Sequence, residues 1–224
     1  MEYSFSQSTQ ALTSSVVREI LKLTQGNSIL SLAGGLPAAD SFPVAEIREA
    51  FNRAFETGTA ALQYGLTDGY LPLRQCIAKR MEKKQIHVGV DNMIVTTGSQ
   101  QAVDLLSRVY LDEGDVVLVE NPTYLAAIQL FHFRGVRVIP VEADDEGMDL
   151  DDLAQKIAQY RPKMAYVIPT FANPTAKVWS MERRLGLLRQ CRENNILILE
   201  DDPYGEIQFD GEAPYRSLFS LDEH

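Results

Sequence analysis

Asn194-Asn-Ile-Leu-Ile-Leu-Glu-Asp-Asp-Pro-Tyr204 joins a short apolar run, Ile196 to Leu199, to three carboxylates, a proline and a tyrosine. Four consecutive aliphatic residues with no polar alternation read as a strand buried on both faces, as in a parallel sheet covered by helices. In open α/β sheets the ligand crevice lies beyond the carboxyl ends of the strands. Asp201 and Tyr204 therefore fall where a ligand sits.

Upstream of this stretch the chain alternates regularly from about residue 91. Strands are expected at Met93–Thr97, Val116–Val119, Val136–Val141, Met164–Ile168 and Ile196–Leu199. Between them lie a helix with Ala102, Leu105, Leu106 and Val109 on its apolar face, then helices over Thr123–Phe133, Leu150–Tyr160 and Met181–Glu193. The last should turn Met181, Leu185 and Leu188 inward. Repeated β-α units with apolar strands specify an α/β fold, a mostly parallel sheet with helices on both faces.

The amino-terminal third is organised differently. A helix is expected over residues 8–25, with Val16, Val17, Ile20, Leu21 and Leu23 near a helical repeat and a stop at Gly26-Asn27. Ile29–Ala33 reads as extended and leads into the permissive loop Gly34-Gly35-Leu36-Pro37. Pro43 opens a helix with Val44, Ile47, Ala50, Phe51 and Ala54 on one face, ending near Gly58. A turn-rich segment, Gln63-Tyr-Gly-Leu-Thr-Asp-Gly-Tyr70, precedes a helix to about Lys84. After Tyr204 come Glu206-Ile-Gln-Phe209 and a Gly/Pro stretch, with no further β-α unit.

Composition narrows the functional classes. The 224 residues carry 21 basic and 31 acidic side chains, a net charge of -10, which argues against a nucleic-acid or anionic-membrane surface. Two cysteines, Cys76 and Cys191, are too few for a disulfide framework and suit a reducing compartment. No signal peptide and no apolar run near the ~20 residues of a membrane helix occurs. The expectation is a cytoplasmic protein that binds neither nucleic acid nor membrane.

Four strand-end loops carry polar or aromatic groups. Thr97-Gly-Ser-Gln-Gln-Ala102 stands at a strand-to-helix junction, where free N–H groups and the helix dipole favour an anion and Gly98 lets the backbone approach. Read alone, Ser99 is an N-cap. In Asn121-Pro-Thr-Tyr124 the proline stiffens the loop, so Tyr124 can present a ring face to a planar ligand; read alone, it is a helix start with a packed tyrosine. In Asn173-Pro-Thr-Ala-Lys177 the Asn173 amide offers a donor and an acceptor, although Asn-Pro is also ordinary in turns. Asp201 and Tyr204 complete the set. Paired aspartates after a strand also suit a magnesium-phosphate site, but no G-x-x-x-x-G-K-[ST] accompanies them and no metal is expected.

In this order, Gly-Ser-Gln-Gln-Ala, Asn-Pro-Thr-Tyr, Asn-Pro-Thr-x-Lys and Asp-x-x-Tyr resemble the fold-type I, class I/II pyridoxal-phosphate aminotransferases. The resemblance extends upstream through Gly34-Gly35-Leu-Pro and Gln63-Tyr-Gly-x-x-x-Gly-Tyr-x-x-Leu-Arg74, so it covers essentially the whole chain. The arm Ser14-Ser-Val-Val-Arg-Glu-Ile-Leu21 is typical of the branch holding 2-aminoadipate, kynurenine and broad-specificity amino-acid aminotransferases.

The resemblance implies pyridoxal 5'-phosphate as cofactor, amino acids and 2-oxo acids as substrates, and a homodimer. It divides the chain into an arm with part of a small domain, residues 1–45, and a large cofactor-binding domain, residues 46–224. It implies that Ser99 and the backbone of Gln100 hold the phosphate, that Tyr124 stacks on the ring, and that Asn173 and Tyr204 hydrogen-bond the ring hydroxyl. Asp201 would pair with the ring nitrogen, a position that Asp202 fits less well. Tyr64 would reach the phosphate of the other subunit, and Gly35 the substrate carboxylate. Ser15 and Arg18 would help select the substrate side chain; an Arg on an amphipathic helix is otherwise a solvated charge.

Two departures qualify the match. The family usually has glycine where Ala176 stands, and a residue forced to φ > 0 there would be strained by roughly 1–2 kcal/mol. The family's catalytic lysine lies in a Ser-x-x-Lys loop beyond the Asp-x-x-Tyr segment, and its substrate-carboxylate arginine lies farther on; this sequence stops before both. Lys177 is no substitute, because members with Asn-Pro-Thr-Gly-Lys carry the separate lysine too. No residue of the chain is assigned as the catalytic nucleophile, and the chain alone is expected to be inactive.

The same comparison places two further strands between Met93–Thr97 and Ile196–Leu199. Without them these two strands stand about 14 Å apart, three spacings of ~4.8 Å, with unpaired edges. The sheet is thus expected to be incomplete at the C-terminus, and the isolated chain unstable, oligomeric or part of a longer product. Two alternatives share the motifs: a non-catalytic cofactor-binding fragment, and a pyridoxal-phosphate carbon–sulfur lyase.

Overall fold

The computed structural model describes residues 3–10, 19, 22–23, 35–209 and 215–222. Ser15, Arg18, Gly34 and the extended piece Ile29–Ala33 lie outside them, as does most of the helix expected over residues 8–25. The chain divides into two compact units, Leu12–Leu66 and Met1–Ala11 with Thr67–His224.

In the smaller unit the helix after Pro43 runs from Val44 to Glu56, and the Thr57 N–H closes it on Ala54 O. Its apolar residues do recur at helical spacing, but Val44, Ile47 and Phe51 are exposed rather than packed. Tyr64 is fully exposed, and Gly35 stands at φ 56°, a conformation suited to glycine.

The larger unit begins with a four-residue helix, Gln7–Gln10 (α1); counting the Val44–Glu56 helix as α2, Leu71–Glu82 is α3. Then follow α4 Ser99–Tyr110, β1 Val116–Glu120, α5 Leu125–Phe133, β2 Arg137–Val141, a two-residue hairpin of β3 Ala143–Asp144 and β4 Gly147–Met148, α6 Leu150–Tyr160, β5 Met164–Val167, α7 Met181–Glu193, β6 Leu197–Glu200 and α8 Leu218–Leu221. The main sheet is parallel, in the order β2-β1-β5-β6.

Strand alternation divides the core in two. Val116, Leu118, Ala165 and Val167 face one cluster with residues of α6 and α7; Val117, Val119, Met164 and Tyr166 face the other with residues of α4 and α5. Helices therefore cover both faces, as the sequence pattern requires. No described helix is long and apolar enough to cross a membrane.

Four expectations are corrected. Met93 is extended, but Met93–Thr97 joins no sheet; Val95 N–H bonds Asp68 O instead of a neighbouring strand. Extended backbone becomes a strand only when a partner lies alongside it. The strand β6 is half-buried rather than covered on both faces, because β5 is its one described neighbour in the sheet. On α4 the buried stripe is Val103 and Ser107, with Leu105 and Val109 exposed. On α7 it is Arg184, Leu187, Leu188 and Cys191, while Met181 and Leu185 are exposed. On α7 Leu188 is buried as expected while Met181 and Leu185 are not, because a linear pattern does not say which flank of a helix its neighbours cover.

Candidate functional site

The sheet order reverses between β1 and β5: from β1 the chain steps to β2 on one side, then returns to β5 on the other. Such a switch point opens a crevice beyond the strand ends. Three of the sequence-identified loops share this rim, residues 121–124 after β1, 169–177 after β5 and 201–204 after β6. The Asn121–Pro122 and Asn173–Pro174 bonds, one in each of the first two loops, are cis.

The loop before α4 meets this rim through a side chain. Gln100 Nε2 donates to Tyr124 Oη at 3.4 Å. Gly98, not Ser99, is the N-cap of α4, with φ 81° and ψ 167°, and no side chain caps the helix from that position. Glycine is required by this dihedral alone, since a Cβ there would meet nothing within 4 Å. Thr97 N–H is bonded by the Gln101 side chain, while Ser99 and Gln100 open the helix as exposed residues. A helix start of this kind favours an anion.

The two aspartates after β6 have different partners. Asp202 takes the Lys84 ammonium at 2.8 Å and the Gly205 N–H at 2.9 Å. Asp201 instead accepts from the Tyr166 hydroxyl at 2.8 Å, and its own N–H bonds Val167 O. Burial raises the Asp201 carboxyl above its ordinary range; the Tyr166 bond pulls it down and Asp202 pushes it up. Among the described residues no lysine or arginine pairs with Asp201: Lys84 goes to Asp202 and Glu206, Lys177 to Asp145. A half-buried carboxylate with one neutral donor and no counter-charge is a natural receptor for a cationic N–H.

Asn173 and Tyr124 are partly buried on the same rim, and Tyr204 is 37% exposed. Lys177 is held away by Asp145 at 3.0 Å and by Asp144 O at 3.1 Å. Ala176 stands at φ 58°, the left-handed region in which alanine is strained. Gly35 and Tyr64 belong to the smaller unit.

Three framework residues escaped the sequence reading. Glu120, at the end of β1, accepts from Ile168 N–H at 2.7 Å and from Trp179 Nε1 at 2.8 Å. Arg184, 2% exposed, donates to Pro169 O, Trp179 O, Arg216 O and Thr170 Oγ1, and so holds the loop after β5. Tyr166, inside an apolar strand, looks like core. The available signals were a carboxylate closing an aliphatic strand and an arginine within the expected inward stripe of α7.

The family model for aminotransferase class I and II matches residues 27–224. The chain is 45% identical over 218 residues to a 2-aminoadipate transaminase of Thermus thermophilus, covering 97% of this chain and 53% of that protein. It is 40% identical over 226 residues to aromatic-amino-acid aminotransferase 1 of Thermococcus litoralis, covering 98% and 54%. The crystal structure of Pyrococcus horikoshii kynurenine aminotransferase, solved with PMP, superposes with a TM-score of 0.88 at 40% identity, covering 97% of this chain and 55% of that one. The chain thus spans about half the length of the relatives it matches.

Proposed function

Because the chain belongs to the class I and II aminotransferases, we propose that it forms the cofactor-cradling part of an enzyme that moves an amino group from an amino acid to a 2-oxo acid with pyridoxal 5'-phosphate. The observation that carries this reading is the Asp201 carboxylate, bonded by Tyr166 and lacking a described counter-ion beyond the carboxyl end of β6. When bound, the cofactor supplies an electron-withdrawing ring that stabilises negative charge at the substrate α-carbon, provided its nitrogen stays protonated.

Each residue has a role in this proposal. Asp201 holds the ring N–H. The α4 start, Ser99 with the Gln100 backbone, holds the phosphate; Tyr124 covers the ring face; Asn173 and Tyr204 orient the ring hydroxyl. Tyr64 serves the phosphate of a second subunit, and Gly35, Ser15 and Arg18 the substrate. Residues 1–45 act as an arm with part of a small domain and residues 46–224 as the large domain of a cytoplasmic homodimer. Lys177 is committed to the hairpin tip, and no residue of this chain is proposed as the nucleophile. This chain alone therefore holds the cofactor without completing the reaction.

The test is to add pyridoxal phosphate, record the absorbance, reduce with borohydride and locate any pyridoxyl-lysine by mass. Saturable binding without stoichiometric labelling of one lysine is expected. Stoichiometric labelling would refute the absence of a nucleophile, and lack of any binding would overturn the cradle.

A further inference from the structure

Tyr166 is the hydrogen-bond partner of the Asp201 carboxylate. It lies on β5 with no solvent exposure, its ring edge-on to Phe131 of α5 with centroids 5.9 Å apart. A tyrosine locked by packing on one side and reaching a rim carboxylate with its hydroxyl is placed to aim that carboxylate.

We infer that Tyr166 is a positioning residue: its hydroxyl, donating to Asp201 Oδ2 at 2.8 Å, fixes the carboxylate on the rim and leaves the other oxygen to accept from a ring N–H. The inference rests on the cofactor reading of Asp201. A tyrosine suits this task because its hydroxyl cannot neutralise the aspartate. Burial and the charge on Asp201 push its own proton loss far above the physiological range, so it remains a donor. A lysine or arginine in its place would satisfy Asp201 and compete with the cofactor. The other charged or titratable groups facing the pair are Asp202 beside Asp201, and Tyr124 and Glu120 beside Tyr166. None of these supplies a positive charge; Lys84 is bound to Asp202.

The consequence is readable in pH. Asp201 accepts from a cationic ring best when ionised, so affinity on the acid limb rises as Asp201 loses its proton. Tyr166 opposes the upward push of burial. Removing it should move the acid limb to higher pH by about one to two units, the range expected for one hydrogen bond to a charged group.

Pyridoxamine 5'-phosphate affinity, followed by fluorescence across pH, tests this in the full chain, in Tyr166→Phe, in Asp201→Asn and in the double variant. Tyr166→Phe should shift the acid limb upward; Asp201→Asn should weaken binding and leave only the limb set by the ligand's phosphate, whose second pKa is about 6. In the Asp201→Asn background Tyr166→Phe should have no further effect, which a merely structural tyrosine would not produce. If Asp201→Asn leaves only the phosphate limb while Tyr166→Phe shifts nothing, the positioning role is overturned and the Asp201 reading stands. If Asp201→Asn keeps the original limb, or the chain takes up no pyridoxamine phosphate at any pH, both are overturned.

Discussion

The indole Nε1–H of Trp179 donates to Glu120 Oε1 at 2.8 Å, across 59 residues of chain. The other Glu120 oxygen accepts from Ile168 N–H. One buried carboxylate at the end of β1 thus ties together the loops that carry Tyr124 and Asn173, on either side of the sheet's switch point.

Trp179→Phe removes the indole N–H together with part of the buried ring, so Glu120 Oε1 is left short of a donor and a cavity opens beside it. A buried acceptor stripped of its partner costs about 1–3 kcal/mol. Urea unfolding at neutral pH is expected to show a loss of at least that size, the cavity adding to it. An unchanged midpoint would mean that the bond contributes nothing to stability.

Glu120 also makes stability depend on pH. Burial pushes its carboxyl up to about 7, against its two donors and the nearby Arg184. A carboxyl raised in the folded state holds its proton more tightly there than in the unfolded chain. Its stabilising effect is full below the ordinary value of 4.5 and is lost as pH rises through about 7. Glu120→Gln cannot titrate, so the decline in unfolding free energy between about pH 5 and about pH 8 should flatten in that variant; its amide N–H faces one of the two donors, a cost of about 1–3 kcal/mol at acid pH that the parent's own decline offsets as pH rises.

The sequence made the helices most legible. The expected spans Leu150–Tyr160 and Met181–Glu193 coincide with α6 and α7, where Asp149 and Ser180 cap the first turns with their side chains. Local signals of this kind act within one turn. Pairing and burial depend on what lies opposite, which a linear pattern does not carry. Met93–Thr97 is therefore extended without being a strand, and Leu185 on α7 is exposed while Arg184 beside it is buried. In the site, Asp201 was legible from its place after an aliphatic run, and its separation from Asp202 is explained by their different partners. Tyr166 and Glu120 were not legible, because their partners lie 35 and 48 residues away.

Ala176 bears the strain that its sequence position suggested. At φ 58° an L-residue is disfavoured by about 1–2 kcal/mol. Glycine relieves this but adds freedom to the unfolded chain, which takes back about 0.4–1 kcal/mol. Ala176→Gly is expected to stabilise the chain by about 0.5–1 kcal/mol net, read as a higher denaturation midpoint. A lower midpoint would show that the loop tolerates alanine without strain.

Arg184 tests how far the rim depends on a buried cation. Its guanidinium donates to three backbone carbonyls and to Thr170 Oγ1, from Pro169 to Arg216. Arg184→Met leaves those acceptors buried without partners and is expected to cost about 3 kcal/mol or more. Arg184→Lys keeps the charge but not the planar fork, so it should recover only part of the loss. Equal stability of the lysine variant and the parent would refute the role of the fork.

The outer edge of β6 leads to the last expectation. Its described partner is β5, and beyond it lies a groove of about 770 Å³ lined by apolar side chains including Ile77, Met81, Met93, Ile198 and Phe219. A strand edge with ladder groups facing an apolar groove is a template for another chain. The net charge of -10 opposes association at low salt, and added salt screens that repulsion. Sedimentation velocity on the isolated chain should therefore show self-association that grows with concentration and with ionic strength. Phe219→Lys, which puts a charge on the groove wall at a half-exposed position, should weaken it. A monodisperse monomer with a cooperative thermal transition at all concentrations would show instead that the chain covers its own edge.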